Sequence, residues 1–445
     1  MIALIIFLPL AHGAVEAWAV GSFDMAVIAL ALLWAIKAAL DQRLILMIPE
    51  SLWPVVALVA TGLVQSLAWT DRTGNRQSFS LDVEATRGTV TTGFFLLVAA
   101  VIAANFLMSR ERLRVLTRVL VAFGLGLAVF ALIQHFTWNG RFYWLRPTAS
   151  TQPFGPFPNR NHFAGYMELL IGLPVALVAT RGVKREARLY YGFAAVMMGL
   201  AAVASLSRGG MISLFAEVMF ITALSPRVLR RRGEGRGMRT KLVLVGSGAA
   251  LLVALMIGIA WIGADPVINR LTTGHDARMR PQQAQTFFMS RGWIWRDTWR
   301  LIRAHPLVGT GLGAFKAAYP IYSQANGGRG ISEAHNDYLQ VLADCGVIGA
   351  VWAVWFMISV FRAVARSLRS PDPWLARFAL GSGASLFGLF THSLFDFNLQ
   401  LPSHSLLFLL FSAAVSYIGA ADLNPAGGLT KPSFRVSREP ERAKK

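Results

Sequence analysis

Residues 110–136 read RERLRVLTRVLVAFGLGLAVFALIQHF, and this stretch decides the fold. Four arginines, Arg110, Arg112, Arg114 and Arg118, crowd its beginning. From 119 to 133 no charged residue interrupts the run. A helix that crosses the bilayer core needs roughly 20 predominantly apolar residues. A basic flank marks the end that stays in the cytoplasm. The stretch therefore reads as a membrane span with a labelled side.

The same signature recurs along the chain. Candidate spans fall at 1–13, 18–40, 44–69, 89–108, 115–136, 162–180, 189–206, 209–225, 242–263, 345–365, 375–396 and 402–420, which is twelve. They account for a composition that is 55% hydrophobic and only 15% charged over 445 residues. An ordinary soluble domain carries about 25% charge. The balance excludes disordered and fibrous classes, argues against a soluble enzyme, and points to an all-α polytopic membrane protein. The single cysteine, Cys345, excludes a disulfide framework and a cysteine-based metal site. The first candidate begins abruptly at Met1 without an n-region or a small-residue cleavage site, so it is not read as a signal peptide. No internal repeat relates the two halves.

The net charge of +20 must be sorted by side before it says anything about partners. The connections 37–43, 110–118, 181–188, 227–241 and 362–377, with the tail 431–445, hold 27 of the 43 lysines and arginines. The positive-inside rule assigns them, and both termini, to the cytoplasm. Most of the excess charge is thus a topology signal, and no nucleic-acid partner is expected. The chain divides into helices one to nine (1–263), a long periplasmic loop (264–344), helices ten to twelve (345–420) and a basic cytoplasmic tail (421–445). The other loops then lie outside the membrane, on the side away from the cytoplasm.

Three external segments are substantial: 70–88, 137–161 and 264–344. A loop as long as the last is usually functional or has structure of its own. Within it, 291–304 places Trp295, Trp299 and Ile302 on one stripe and Arg296, Arg300 and Arg303 elsewhere. This is the pattern of an amphipathic helix at a membrane interface, stopped by His305-Pro306. Of the 16 basic residues not assigned to the cytoplasm, all but Lys316 are arginine. Arginine pairs bidentately with phosphate and stays charged. Such a surface suits a lipid-linked phosphate or pyrophosphate.

Four motifs carry candidate chemistry. Ser207-Arg208-Gly209-Gly210 joins two apolar runs with almost no loop, which holds Arg208 at the outer boundary; the plainer reading is a snorkelling arginine over a short turn. Arg291, in Ser290-Arg291-Gly292-Trp293-Ile294-Trp295, suits an anion or an interfacial anchor. Ser332-Glu333-Ala334-His335-Asn336-Asp337-Tyr338-Leu339-Gln340 reads as a helix start capped by Ser332, with His335, Tyr338, Leu339 and Leu342 on one face. A helix N-terminus disfavours imidazolium, so His335 is a candidate general base, against the alternative of a structural histidine. Gly155-Pro156-Phe157-Pro158-Asn159-Arg160-Asn161-His162-Phe163 offers Asn159, Arg160 and Asn161 to sugar hydroxyls or phosphate, or simply forms a turn with a helix cap.

Other polar residues raise questions of accommodation. Glu168 and Glu217 lie inside spans and need partners or a water-filled cavity. His392 and Asp396, one turn apart, are expected to pair with each other structurally. Gly309-Thr310-Gly311-Leu312-Gly313 follows no strand and is not a dinucleotide site. Asp82-Val83-Glu84 is too sparse a donor set for a metal, and none is expected.

Taken together these motifs resemble the O-antigen ligase and Wzy-type polymerase superfamily of bacterial envelope enzymes. The resemblance rests on the Ser-Arg-Gly-Gly turn and on Arg291…Trp295…Pro306-Leu307-Val308-Gly309-Thr310-Gly311. His335-Asn336-Asp337-Tyr338-Leu339 running to Gly346-Val347-Ile348-Gly349 is the most specific part. The 159–164 and 392–402 stretches look like family features too. The resemblance covers the chain from about the third span to residue 402. It implies a GT-C-like fold and transfer of a glycan from undecaprenyl pyrophosphate without metal or other cofactor. It implies functional roles for Arg208, Arg291 and His335.

On that resemblance the two arginines would clamp the donor pyrophosphate and His335 would take the proton of an attacking hydroxyl, with inversion at the anomeric carbon. Arg160, Asn159, Asn161, Asn336 and Tyr338 are expected to bind substrate. The acceptor is left open between lipid A-core, a growing glycan and a protein hydroxyl, the last as in O-oligosaccharyltransferases. A non-enzymatic lipid or polysaccharide transporter is the alternative from another class. Gathering of the polar residues on one outer, asymmetric loop disfavours it, because transporters place such groups near the midplane in related halves.

Overall fold

A computed structural model of the chain describes residues 1–44, 46–70, 72–148, 153–230, 288–324 and 331–421. The expected ninth span at 242–263, the start of the long external loop and the basic tail lie outside the described residues. Among the described residues there are thirteen α-helices and two small hairpins. The helices are α1 (Ile2–Leu10), α2 (Ala17–Leu40), α3 (Trp53–Gln65), α4 (Val83–Phe106), α5 (Arg110–Phe136), α6 (Arg160–Ala179) and α7 (Arg185–Ala204). They continue with α8 (Arg208–Arg230), α9 (Phe288–Ala304), α10 (Phe315–Tyr322), α11 (Asp337–Ser367), α12 (Pro373–His392) and α13 (Pro402–Ala421).

Eight of these, α2, α4 to α8, α11 and α13, are long and apolar enough to cross a membrane. The chain is an all-α polytopic membrane protein. Three of the expected spans come out differently. The first is a nine-residue helix, α1, roughly 14 Å long and so less than half the bilayer core. The third shortens to thirteen-residue α3, preceded by a 3-10 turn at Glu50–Leu52. The eleventh, α12, is twenty residues long but rich in glycine and serine.

Those small residues let α12 approach its neighbours. A Cβ on Gly172 of α6 would sit 2.5 Å from the carbonyl oxygen of Gly381, and one on Gly383 would meet Val364 of α11 at 2.9 Å. Close backbone approach of this kind is how helices associate where water supplies no hydrophobic drive. Helices α6 and α13 form the buried centre, and α6 packs on α7, α8 and α12.

Side-chain caps start the helices. Asp82 accepts from the Ala85 amide at 3.0 Å, which accounts for this acidic residue without a metal. Ser109, Asn159, Asn336 and Asp372 cap α5, α6, α11 and α12 in the same way. Two ends of the bundle result. At one lie the basic segments: Arg110 pairs with Asp372 at 3.1 Å, Arg114 covers the Trp374 ring, and Arg366 pairs with Glu50. At the other lie the hairpins β1 (Ala68–Thr70) with β2 (Arg76–Ser78) and β3 (Arg141–Phe142) with β4 (Arg146–Pro147), together with α9 and α10.

The cap formed by α9, α10 and the start of α11 has its own small core of Ile294, Leu301, Ile302, Phe315, Tyr319, Ala334 and Ala343. The stripe expected for α9 is rotated. Ile294, Asp297, Thr298, Leu301 and Ile302 face inward, while Trp299 is exposed with Arg303 stacked over it. Buried Asp297 explains the shift, because Arg300 at 2.6 Å and the Ser323 hydroxyl at 3.3 Å satisfy it from inside the cap.

The 309–313 glycine run is the seam between cap and bundle. Gln65, at the end of α3, donates to the carbonyls of Val308 at 2.6 Å and Asp344 at 2.9 Å, and accepts from the Leu312 amide at 2.9 Å. Gly311 has φ +112°, and a Cβ there would lie 2.2 Å from the Ser80 hydroxyl. Gly346 breaks α11 at φ +59° beneath the Leu307 carbonyl. The break falls beside the boundary at 345 that composition marks.

Candidate active site

Residues 336–338 are sewn onto the turn that follows α12. The Asn336 side chain accepts from the Tyr338 and Leu339 amides, both at 3.0 Å, and donates to the Leu394 carbonyl at 3.0 Å. The Asp337 amide donates to the Ser393 carbonyl at 2.9 Å, and its carboxylate accepts from the Ser393 hydroxyl at 2.7 Å. The Tyr338 hydroxyl donates to the Phe390 carbonyl at 2.8 Å. Asn336 and Tyr338, expected to bind substrate, are thus engaged in holding this junction.

The helix begins only at Asp337, with Asn336 rather than Ser332 as its cap. His335 precedes it in a left-handed conformation, φ +51°. It is therefore not carried on a helical face with Tyr338 and Leu339. Its ring packs edge-on to Phe397, with centroids 5.0 Å apart, and its Nδ1 lies 3.1 Å from Oδ1 of Asp396.

Asp396 organises the site. It is fully buried. Oδ1 also accepts from the Phe397 amide at 3.0 Å. Oδ2 accepts from Nη2 of Arg291 at 3.3 Å and from the side-chain amide of Asn161. Burial alone raises the pKa of a carboxyl. Here the hydrogen bond from His335 and the charge of Arg291 hold Asp396 below the usual carboxylate range.

Arg208 opens α8 after a three-residue turn, with the Ser207 hydroxyl accepting from the Gly210 amide at 3.1 Å. It lies close enough to Arg291 for the two charges to oppose each other. Two partly buried guanidinium groups whose charges interact make a ready place for an anion. The Asn159 side chain accepts from the Asn161 amide at 2.9 Å as the cap of α6, and so presents Arg160 and Asn161 at the same end.

The expected His392–Asp396 pairing does not occur. The chain leaves the helix at Ser393, so the two side chains diverge. His392 turns inward to Glu168, and Asp396 turns outward to His335 and Arg291. Glu217 is buried, and among the described residues neither of its oxygens has a hydrogen-bond partner. The contacts of Asp396 with His335 and Arg291 were hidden in the sequence by its place at the end of an apolar run. The usable signal was the cost of leaving a carboxylate there without an opposite charge.

Beside His335 lies a largely apolar cavity of about 820 Å³. Glu333, Asp337, Tyr338 and Phe397 line it near the histidine, and residues of α3, α4, α11 and α13 line much of the rest. Glu333 is pushed up to about 8, chiefly by burial and then by Asp344.

Residues 193–354 match a family model described as O-antigen ligase. No curated protein matches the chain. The matched segment includes Arg208, Arg291 and His335. Asn159, Arg160, Asn161 and Asp396 lie outside it. The match, with the apolar helices, supports a membrane enzyme of a glycan-ligating family.

Proposed function

We propose that the chain transfers a glycan from undecaprenyl pyrophosphate to an acceptor hydroxyl at the periplasmic face of the bacterial inner membrane. The observation that carries this reading is the meeting of His335 and Arg291 on one buried carboxylate, with Arg208 near enough to Arg291 for their charges to interact, at the end of the bundle opposite the basic segments.

Arg208 and Arg291 hold the donor pyrophosphate. Asp396 accepts the Nδ1 hydrogen of His335, which leaves the Nε2 lone pair outward. As the acceptor oxygen bonds to the anomeric carbon, its proton passes to Nε2. The bond from that carbon to the pyrophosphate oxygen breaks, and its electron pair leaves with the undecaprenyl pyrophosphate. The imidazolium then faces Asp396, and the two guanidinium groups face the new charge on the leaving group. One displacement inverts the anomeric centre. The pyrophosphate linkage already activates the sugar, so no nucleotide, metal or other cofactor is assigned a role.

The apolar cavity lined by Glu333, Asp337 and Tyr338, next to His335 in the chain, suits a lipid chain, which supports an acceptor presented on a membrane anchor: lipid A-core or a growing lipid-linked glycan. Membrane lipids are the medium for both partners. Removing one preorganised charge partner typically costs ~100-fold or more in rate. Arg208→Ala and Arg291→Ala, assayed in membranes with folded protein, should each lower transfer by about that factor and leave donor unconsumed. Full transfer by either variant overturns the clamp.

A further inference from the structure

We propose that the buried Glu168–His392 pair is a positioning element of the transfer site: it locks the start of α8, which carries Arg208, to the turn that carries Asp396. The inference rests on the reading of Arg208 and Asp396 given above. The histidine Nδ1 lies 3.0 and 3.1 Å from the two oxygens of Glu168, and both side chains are almost wholly buried. Glu168 sits on α6, the helix central to the bundle.

The pair has two parts of the site on either side. Toward α8, a Cβ on Gly209 would lie 2.8 Å from Cδ2 and 2.9 Å from Nε2 of His392, and 3.1 Å from Cβ of Phe395. A Cβ on Gly210 would lie 3.2 Å from Oε1 of Glu168. The two glycines after Arg208 are thus where the backbone of α8 rests directly on the pair. Toward the turn, the His392 carbonyl accepts the amides of Phe395 at 2.7 Å and Asp396 at 3.0 Å. One residue therefore touches the helix that presents Arg208 and begins the turn that presents Asp396 to His335 and Arg291. A buried pair that only satisfied its own polarity would have no reason to touch both. Because the imidazole is fixed by Glu168, its ring and its carbonyl hold a constant separation between donor-side and base-side groups.

The test is hydrogen exchange of the full chain in lipid nanodiscs. Leucine can neither donate to nor accept from Nδ1, so Glu168→Leu frees the ring. Glutamine does either, whichever partner carries the proton, so Glu168→Gln preserves the lock. In Glu168→Leu the amides of Gly210, Met211, Phe395 and Asp396 should exchange about tenfold faster or more, the scale of one lost buried hydrogen bond. In Glu168→Gln they should exchange as in the wild type. Wild-type exchange at either segment in Glu168→Leu, or equal loosening in both variants, overturns the proposal.

If Glu168→Leu does not fold, Gly209→Ala presses on His392 from the other side and should loosen the 395–396 amides as well as its own; a change confined to α8 overturns the proposal. Farnesyl pyrophosphate serves as a probe of the anion site. Glu168→Leu should weaken its binding about tenfold in the wild type and not further in Arg208→Ala. Equal weakening in both backgrounds overturns the coupling. An Arg208→Ala protein that binds the probe like the wild type overturns the donor reading instead, and the exchange result then decides the positioning role alone.

Discussion

Asp396 shows what one residue can reveal or conceal. In the sequence it stands four residues after His392, and helical spacing pairs the two. The helix ends at His392, so the spacing rule no longer applies and the carboxylate reaches His335 and Arg291 instead. Arg208, Arg291 and His335 stand out in the sequence because their motifs resemble those of a known family. The carboxylate that His335 and Arg291 share does not, because the contacts cross 61 and 105 residues. Asp396→Asn keeps the shape but offers an amide where the imidazole needs an acceptor. Transfer should fall by ~100-fold or more while the protein stays folded, measured as turnover in membranes against melting of the purified chain.

Glu333 gives a second test at this scale. Its folded pKa is raised, to about 8, so the protonated form favours the folded state. That contribution is complete below about pH 4.3, the value of a free glutamate, and is lost as pH rises towards 8. Glu333→Gln removes the penalty. The variant should melt at the wild-type temperature near pH 4 and above it near pH 8; equal melting at both would show that burial of Glu333 carries no cost.

At the scale of elements, long apolar helices with basic flanks were legible, since hydrophobic length and charge are local properties. The shortening of α1 and α3 was not, because neighbours rather than composition decide how much of an apolar run is helical. The rotated face of α9 has the same origin. Asp297 looks like a surface residue until Arg300 and Ser323 are seen to satisfy it inside the cap. The glycine run at 309–313 follows no strand, but its use as a seam requires knowledge of Gln65, far away in sequence. Gln65→Leu deletes all three of its bonds to the seam. It should loosen the cap before the bundle, seen as earlier proteolysis in 305–324 with the bundle intact; cleavage no faster than wild type would show that the seam holds without it.

For the whole molecule, the basic segments and the candidate site occupy opposite ends of the bundle, as the charge bias demands if both termini are cytoplasmic. Cys345 is buried, so added cysteines report cleanly. In intact cells an impermeant maleimide should label Leu145→Cys, and should label Lys184→Cys only after permeabilisation. The reverse pattern would put the site in the cytoplasm.

The central claim is tested most directly in proteoliposomes that contain only the purified chain, an undecaprenyl-pyrophosphate-linked glycan and an acceptor, either lipid A-core or a second lipid-linked glycan, with EDTA and no nucleotide. The account predicts glycan transfer to one of these acceptors by the wild type, reduced ~100-fold or more in His335→Ala. Folded wild-type protein that transfers to neither acceptor, or His335→Ala that transfers at the full rate, would contradict it.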